Sequence, residues 1–365
     1  MTRAERLGAE LAEREIDALL INDLIDLRYL SDFSGSHGMA VMFGPRLASE
    51  LGGPRFLTDF RYETQAQEEV PGMFERRIAS GDLIDVAVAE LAGASGRLGY
   101  DDASMTVKGL RRLEEMLPQG WELVPAAGTV AGLRAVKEPA EIELIRASAQ
   151  LADEAMRGLL EGGLRGRTEL DVAIDLELRM RRLGASAPSF PSIVAAGPHG
   201  ALPHAQPREQ EIPANVLVTI DWGALHDGYC SDCTRTYATG ESISDLAREV
   251  YGLVLSAEQA GVQGVAAGLT GREVDALARE IIERAGHGEH FGHGLGHGVG
   301  LEVHEGPRLS RAGGEETLRA GNVVTVEPGV YLPGLLGVRI EDLLAITDDA
   351  QDVLTSLPRE LTVIS

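Results

Sequence analysis

A chain of 365 residues, 44% of them apolar, is long enough for two or three packed domains and has the composition of a soluble globular protein. Its formal net charge of −24 excludes a phosphate-rich partner: no basic run stands out, and nucleic acid would be repelled. No apolar run approaches the roughly 18 residues that cross a bilayer, and the N-terminus lacks the continuous apolar core of a signal peptide, so a cytoplasmic location without membrane contact is expected.

From the N-terminus, short apolar runs alternate with helical patterns. DALLI, MAVMF, RFLTD and RLGYD read as strands; RAERLGAELAERE, RYETQAQEEV, DLIDVAVAELAG and VKGLRRLEEML read as helices. The alternation predicts an α/β layer with helices on a mixed sheet. His37, in the turn-like SDFSGSHGMAV, reads as a solvated loop residue before it reads as a ligand. The pattern weakens through PAAGTVAGLRAVKEP, and a boundary near residue 130 divides an N-terminal α/β domain, 1–130, from a second domain, 131–365.

The second domain opens with a strong helix. Pro139 suits a first helical turn, and Glu138, Glu141 and Glu143 suit the positive helix N-terminus. Ile142, Ile145, Ala149, Ala152, Met156 and Leu159 then recur at the spacing of one buried face, up to Gly162-Gly163. A further helix starts at the N-cap Thr168 and runs to about Leu183. The design is repeated from Ser244 to Ala267 and again after Thr270, which forms a capping box with Glu273. GLRGRTELD, from Gly163 to Asp171, and GLTGREVD, from Gly268 to Asp275, match about 105 residues apart. Two helix pairs, each followed by strands, predict a duplicated half whose sheets meet at a cleft.

Val216, Leu217, Val218 and Ile220 form an apolar strand ending at Asp221; His226-Asp227-Gly228 makes a turn, and a return strand brings Asp232 opposite. Near the C-terminus Glu327 ends another apolar strand, Pro333-Gly334 turns the chain, and Glu341 lies on the return. Each acid alone could be a cap or a surface charge, but several carboxylates in apolar strands need cations or donors. FGHGLGHGVGLEVHE, Phe291 to Glu305, adds His293, His297 and His304 on alternating glycines, which permit close approach of backbone to backbone or to a ligand. Four carboxylates with His297 carry a formal charge of about −4, which two divalent ions neutralise; such an oxygen-rich set suits Mn²⁺, Co²⁺, Fe²⁺ or Zn²⁺. Two such ions can share a water and lower its pKa, so hydrolysis of an amide or a phosphate ester is expected. Cys230 and Cys233 have C-x-x-C spacing, but the segment reads as one strand, where positions three apart face opposite sides, so packing is expected over redox or zinc chemistry. With no disulfide framework, a reducing compartment is expected.

DWGALHDGYCSDCTRTY, GHGLGHGVGLEVHEGP and VEPGVYLPGLLGVRIED together resemble the pita-bread metallopeptidases, and among them the Xaa-Pro peptidases, aminopeptidase P and prolidase. The resemblance spans about residues 138–355. It implies an α+β pita-bread catalytic domain of duplicated halves around a curved antiparallel sheet. YLSDFSGSHGMAV and FLTDFRYETQAQEEV resemble the N-terminal domain of the same proteins, an α/β domain like that of creatinase. It further implies dinuclear ligands Asp221, Asp232, His297, Glu327 and Glu341, with Asp232 and Glu341 bridging and Mn²⁺ expected ahead of Co²⁺ or Zn²⁺. His204 and His304 match substrate-side histidines, His293 lines the same pocket, Arg339 supports the site, and Glu327 is implied to handle the nucleophile's proton. His199 is expected at the surface; His287 and His290 match nothing. The implied substrate is a proline-containing peptide, and the family implies a homodimer.

The metal set distinguishes the chain from creatinases, which lose it, and the long N-terminal domain from methionine aminopeptidases. A non-catalytic binding module of this fold would normally have lost ligands. Between the two Xaa-Pro activities, a dipeptidase should offer a cation to the proline carboxylate and an aminopeptidase should leave that side open. The sequence reading favours an Xaa-Pro aminopeptidase, with an Xaa-Pro dipeptidase as the alternative.

Overall fold

The four apolar runs read as strands in the first third are the four inner strands of a six-stranded mixed sheet in the computed structural model, which describes residues 1–364. The order across the sheet is Glu75–Ala79, Arg55–Asp59, Met39–Phe43, Ala18–Ile21, Gly96–Tyr100, Trp121–Pro125. Ala18–Ile21 runs antiparallel to Met39–Phe43 and parallel to Gly96–Tyr100. The strands that the pattern misses are the two edges. Glu75–Ala79 has the sequence ERRIA, and only Ala79 is buried; an edge strand packs little, so its residues carry little apolar signal. Helices Leu24–Ser31, Pro45–Leu51 and Thr129–Arg134 are likewise short and without a long apolar period.

The chain divides into two compact units, Met1–Arg134 and a second beginning at Ala135. The second is built from two helix pairs. Pro139–Leu160 packs on Glu169–Leu183, and Asp245–Gly264 packs on Gly271–Arg284. The caps read from sequence form: Thr168 accepts from Asp171 N, and Thr270 makes a reciprocal box with Glu273; Ser244, read only as a helix start, also caps, accepting from Ala247 N. Each pair covers its own sheet. In the first half, Met156, Leu159, Val172 and Leu176 pack against Ile220 and Trp222 of strand Leu217–Trp222. Trp222 Nε1 donates to Ala152 O at 3.0 Å, so the buried indole has its partner. In the second half, Val254, Ala278 and Ile282 pack against Val324, Val326, Ile340 and Leu344.

The halves are stitched strand to strand. Strand Cys233–Ala238 pairs with Leu217–Trp222 on one side. On its other side Glu341 N donates to Thr234 O at 3.0 Å and Thr236 Oγ1 donates to Arg339 O at 2.9 Å. Asp221 and Glu341, 120 residues apart in sequence, thereby flank one strand. The hairpin turns form as read: Asp227 and Gly228 take φ of 49° and 88° between His226 and Tyr229, and Gly334 takes 74° between Leu332 and Leu336.

The cysteines differ from the expectation in one respect. Cys230 lies on strand Tyr229–Cys230 and Cys233 opens the next, Cys233–Ala238, so no single strand separates their faces. Both are free and buried, and burial pushes Cys230 up to about 11 and Cys233 well above the usual thiol range. Both thiols stay protonated, which leaves packing as their role.

Candidate metal centre

Asp221 sits in the last turn of strand Leu217–Trp222, and Asp232 in the gap between the hairpin and strand Cys233–Ala238. Glu327 directly follows strand Val323–Val326, and Glu341 lies between Leu336–Arg339 and Asp342–Ile346. His297 is the middle residue of strand Gly296–Gly298, which pairs with Glu305–Leu309 on one side and Val323–Val326 on the other. The glycines around it are required by this neighbourhood. A Cβ on Gly296 would strike Thr325 O, and one on Gly298 would strike Gly306 O. The alternating glycines therefore serve strand-to-strand approach, and only then the ligand.

All nine residues singled out from the sequence line one cavity of about 730 Å³: His204, Asp221, Asp232, His293, His297, His304, Glu327, Arg339 and Glu341. Ligand-type atoms of Asp232, His297 and Glu341 lie within 4.8 Å of one another. His297 Nε2 is 3.3 Å from Glu327 Oε1 and 3.7 Å from Asp232 Oδ2. Its Nδ1 lies 3.1 Å from Gly298 O and carries a proton, so Nε2, which faces the acids, is the atom that would ligate a metal once it gives up its own.

The carboxylates are supported from behind. Arg339 Nη2 donates to Asp221 Oδ2 at 2.6 Å, and its Nη1 donates to Tyr331 Oη at 2.8 Å. Tyr331 Oη is also 2.9 Å from His293 Nε2. Thr234 Oγ1 donates to Glu341 Oε2 at 2.7 Å. Sequence reasoning misses Tyr331 and Thr234. Both are buried or shielded polar residues of ordinary strands, and only the tertiary contact reveals them.

Electrostatically the cluster is under-neutralised. Burial first, then Glu341, Asp221 and Glu327, push Asp232 well above the usual carboxylate range. Burial, with Glu327 and Asp221, does the same to Glu341. Glu327 departs from them: burial opposes ionisation, but the bond and charge of His297, with His293 and Arg339, hold it down to about 2. Asp221 Oδ1 is buried without a hydrogen-bond partner among the described residues. An orphaned carboxylate oxygen beside three further acids and the Nε2 of His297 is a donor set that divalent cations fit. Burial and the charge of His297 lower His304, whose ring centre is 4.3 Å from that of His297.

Of the other histidines, His199 is corrected. It is 7% exposed, with Nδ1 2.8 Å from Glu169 Oε2, so it is an interior residue tying the helix Glu169–Leu183 to the turn Gly197–Ala201. His37 lies 3.5 Å from Asp59 and is half exposed. The rings of His287 and His290 lie 5.5 Å apart, tilted by 53°, at the short turn Gly288–His290.

The sequence pattern of metallopeptidase family M24 matches residues 143–348, and that of the creatinase/prolidase N-terminal domain matches 3–136. The chain is 34% identical to an Xaa-Pro dipeptidase of Pyrococcus furiosus over 364 residues, 98% of this chain and 99% of that protein. A solved Xaa-Pro dipeptidase from Bacillus anthracis superposes with a TM-score of 0.93 at 39% identity, over 99% of both chains. An X-Pro aminopeptidase from Thermotoga maritima superposes at 0.87 with 34% identity, over 99% of this chain and 100% of that one. Full-length similarity at this level, with both patterns in order, means that the chain belongs to metallopeptidase family M24, carrying the creatinase/prolidase N-terminal domain ahead of its pita-bread unit.

Proposed function

We propose that this chain is a dinuclear-metal Xaa-Pro dipeptidase, with Asp221, Asp232, His297, Glu327 and Glu341 as the ligands and Mn²⁺ as the preferred ion. The observation that carries the metal reading is the gathering of four carboxylates, those of Asp232 and Glu341 buried, and the Nε2 of His297 around a single cavity. Oxygen-rich donors favour Mn²⁺ over thiolate-seeking ions, with Co²⁺ and Zn²⁺ as substitutes.

The step from aminopeptidase to dipeptidase rests on Arg308. It stands opposite His297 in the strand ladder and lines a cavity that shares His297 and His304 with the first. Residues opposite one another in a ladder point to the same face. Arg279 and Arg311 on the same cavity are paired with Asp275 and Glu283, whereas Arg308 has no carboxylate partner among the described residues. It is the cation that a dipeptide's C-terminal carboxylate needs, and the Xaa-Pro dipeptidases among the similar proteins favour the same choice over the aminopeptidase expected from sequence. The likeness to the Thermotoga maritima aminopeptidase keeps the other activity as the second reading.

Divalent ions held by these ligands would supply an acidified water near neutral pH and polarise the scissile carbonyl. The residues do the rest. Glu327 takes the proton of the attacking water on a carboxylate oxygen. His204 and His304 face the tetrahedral oxyanion and relay the proton taken by Glu327 to the proline nitrogen, which has none of its own, as the C–N bond breaks. Leu170, Phe190 and Ile193 give the same cavity an apolar wall for side chains of the substrate. Arg339, Tyr331 and His293 keep Asp221 in place.

The test is loading with Mn²⁺. Turnover of an Xaa-Pro dipeptide should rise to a plateau at two bound ions per chain, and Asp232→Ala should abolish it while the circular dichroism spectrum is retained. A folded Asp232→Ala protein with wild-type activity contradicts the metal mechanism.

A further inference from the structure

Only two lysines occur in the chain, and one of them, Lys137, is buried. Its Nζ lies 2.5 Å from Glu305 Oε1, with side-chain exposures of 1% and 6%. Such a pair costs desolvation on both sides. A fold that needed only packing would fill this space with apolar groups.

The position of the pair suggests what it does. Glu305 directly follows His304 and pairs with Gly298 across the bulge beside His297. The backbone of Lys137 is fixed elsewhere: its N donates to Gly321 O at 2.8 Å, and Asn322 Nδ2 donates to Ala135 O at 2.7 Å. Gly321 and Asn322 lead into the strand Val323–Val326, which Glu327 directly follows. Gly300 closes the arrangement. Its O accepts from Cys230 N at 2.8 Å, two residues before Asp232. A Cβ on Gly300 would lie 3.0 Å from Lys137 Cε and closer still to the Glu305 carboxylate. One ion pair thus sits against the segments that carry His297, His304 and Glu327, and Gly300 links it to the segment of Asp232; neither residue lines the cavity around the carboxylates, although Glu305 lines the adjoining one.

We propose that the buried Lys137–Glu305 pair is a positioning device that sets the bulge beside His297 and holds the His304 ring against the site; the inference rests on the reading of His304 as a substrate-side group. Lys137 acts through Glu305 and touches no reacting atom. It is a positioning residue.

Three variants test it: Lys137→Met, Gly300→Ala, and the neutral double variant Lys137→Met with Glu305→Gln. In Lys137→Met, kcat for an Xaa-Pro dipeptide should fall at least about tenfold well below the melting temperature, with KM changed less than about threefold and two Mn²⁺ still bound, because misplacing a group by about an ångström is costly to the chemical step. Gly300→Ala keeps both charges but crowds the pair, and should lower kcat similarly with a small change in melting temperature; it serves also if Lys137→Met does not fold. The double variant should regain melting temperature but not kcat. Wild-type kcat in folded Lys137→Met or Gly300→Ala, or recovery of both stability and kcat in the double variant, overturns the positioning role. Failure of the wild-type protein to cleave the dipeptide would contradict the proposed function instead. In that event the His297–His304 ring separation in a crystal structure of Lys137→Met, 4.3 Å in the native arrangement, decides the positioning role: a wider separation supports it and an unchanged one overturns it.

Discussion

Arg308 shows how much a single register can decide. The role proposed for its charge depends on the strand Glu305–Leu309 pairing so that Arg308 falls opposite His297, and that pairing contains a bulge between His297 and Gly298. A bulge inserts a residue and shifts which side chains share a face. Counting along the sequence therefore finds many arginines and cannot choose among them. Replacing Arg308 with leucine should raise KM for an Xaa-Pro dipeptide by about tenfold or more, the scale of a charge-assisted hydrogen bond of about 1.5–3 kcal/mol, with a smaller change in kcat. Unchanged KM would mean that the carboxylate is bound elsewhere. His199 illustrates the same limit in the opposite sense. Its Pro/Gly surroundings read as surface loop, yet Glu169 from a helix 30 residues earlier seals it inside. The residues proposed as ligands stood out because Asp221 and Glu327 end or follow apolar strands and His297 lies among alternating glycines, which are local signals; Tyr331, Thr234 and Lys137 did not, because their roles exist only in contacts.

At the scale of elements, helices with caps and strands with two covered faces were readable, and edge strands were not. The edge strand Trp121–Pro125 buries only Trp121. Helix Leu24–Ser31 is short, but Asp23 caps it and Asp26 within it is buried against Arg134, whose Nη1 donates to Asp26 Oδ1 at 2.8 Å. Burial outweighs that bond and raises Asp26 from 3.8 to about 6. Between those values the folded protein keeps a proton that the unfolded chain has released. Its contribution to stability is therefore full below the lower value and is lost as pH rises through the upper one, by roughly 3 kcal/mol in total. Asp26→Asn removes this dependence. Relative to wild type, the variant should gain resistance to urea between about pH 4 and pH 7, read as the difference in unfolding midpoints. A difference that stays constant across that range would show that Asp26 titrates normally.

At the scale of the molecule, duplication explains why a metal centre can form here. The first half brings His204, Asp221 and Asp232; the second brings His297, His304, Glu327, Arg339 and Glu341. Each half buries its sheet under its own helix pair, and the acids meet where strand Cys233–Ala238 joins them. The internal repeat made this architecture readable before any contact was known, because the same capped helix pair is written twice. Substrate choice was not readable, since it depends on the space beside the metals and on which cation reaches it. The direct measurement is a comparison of kcat/KM for an Xaa-Pro dipeptide and the matching Xaa-Pro-Yaa tripeptide on the same Mn²⁺-loaded protein. Loss of the carboxylate contact with Arg308 should disfavour the tripeptide by about ten- to a hundredfold. Equal or better cleavage of the tripeptide would contradict the dipeptidase and make the chain an Xaa-Pro aminopeptidase.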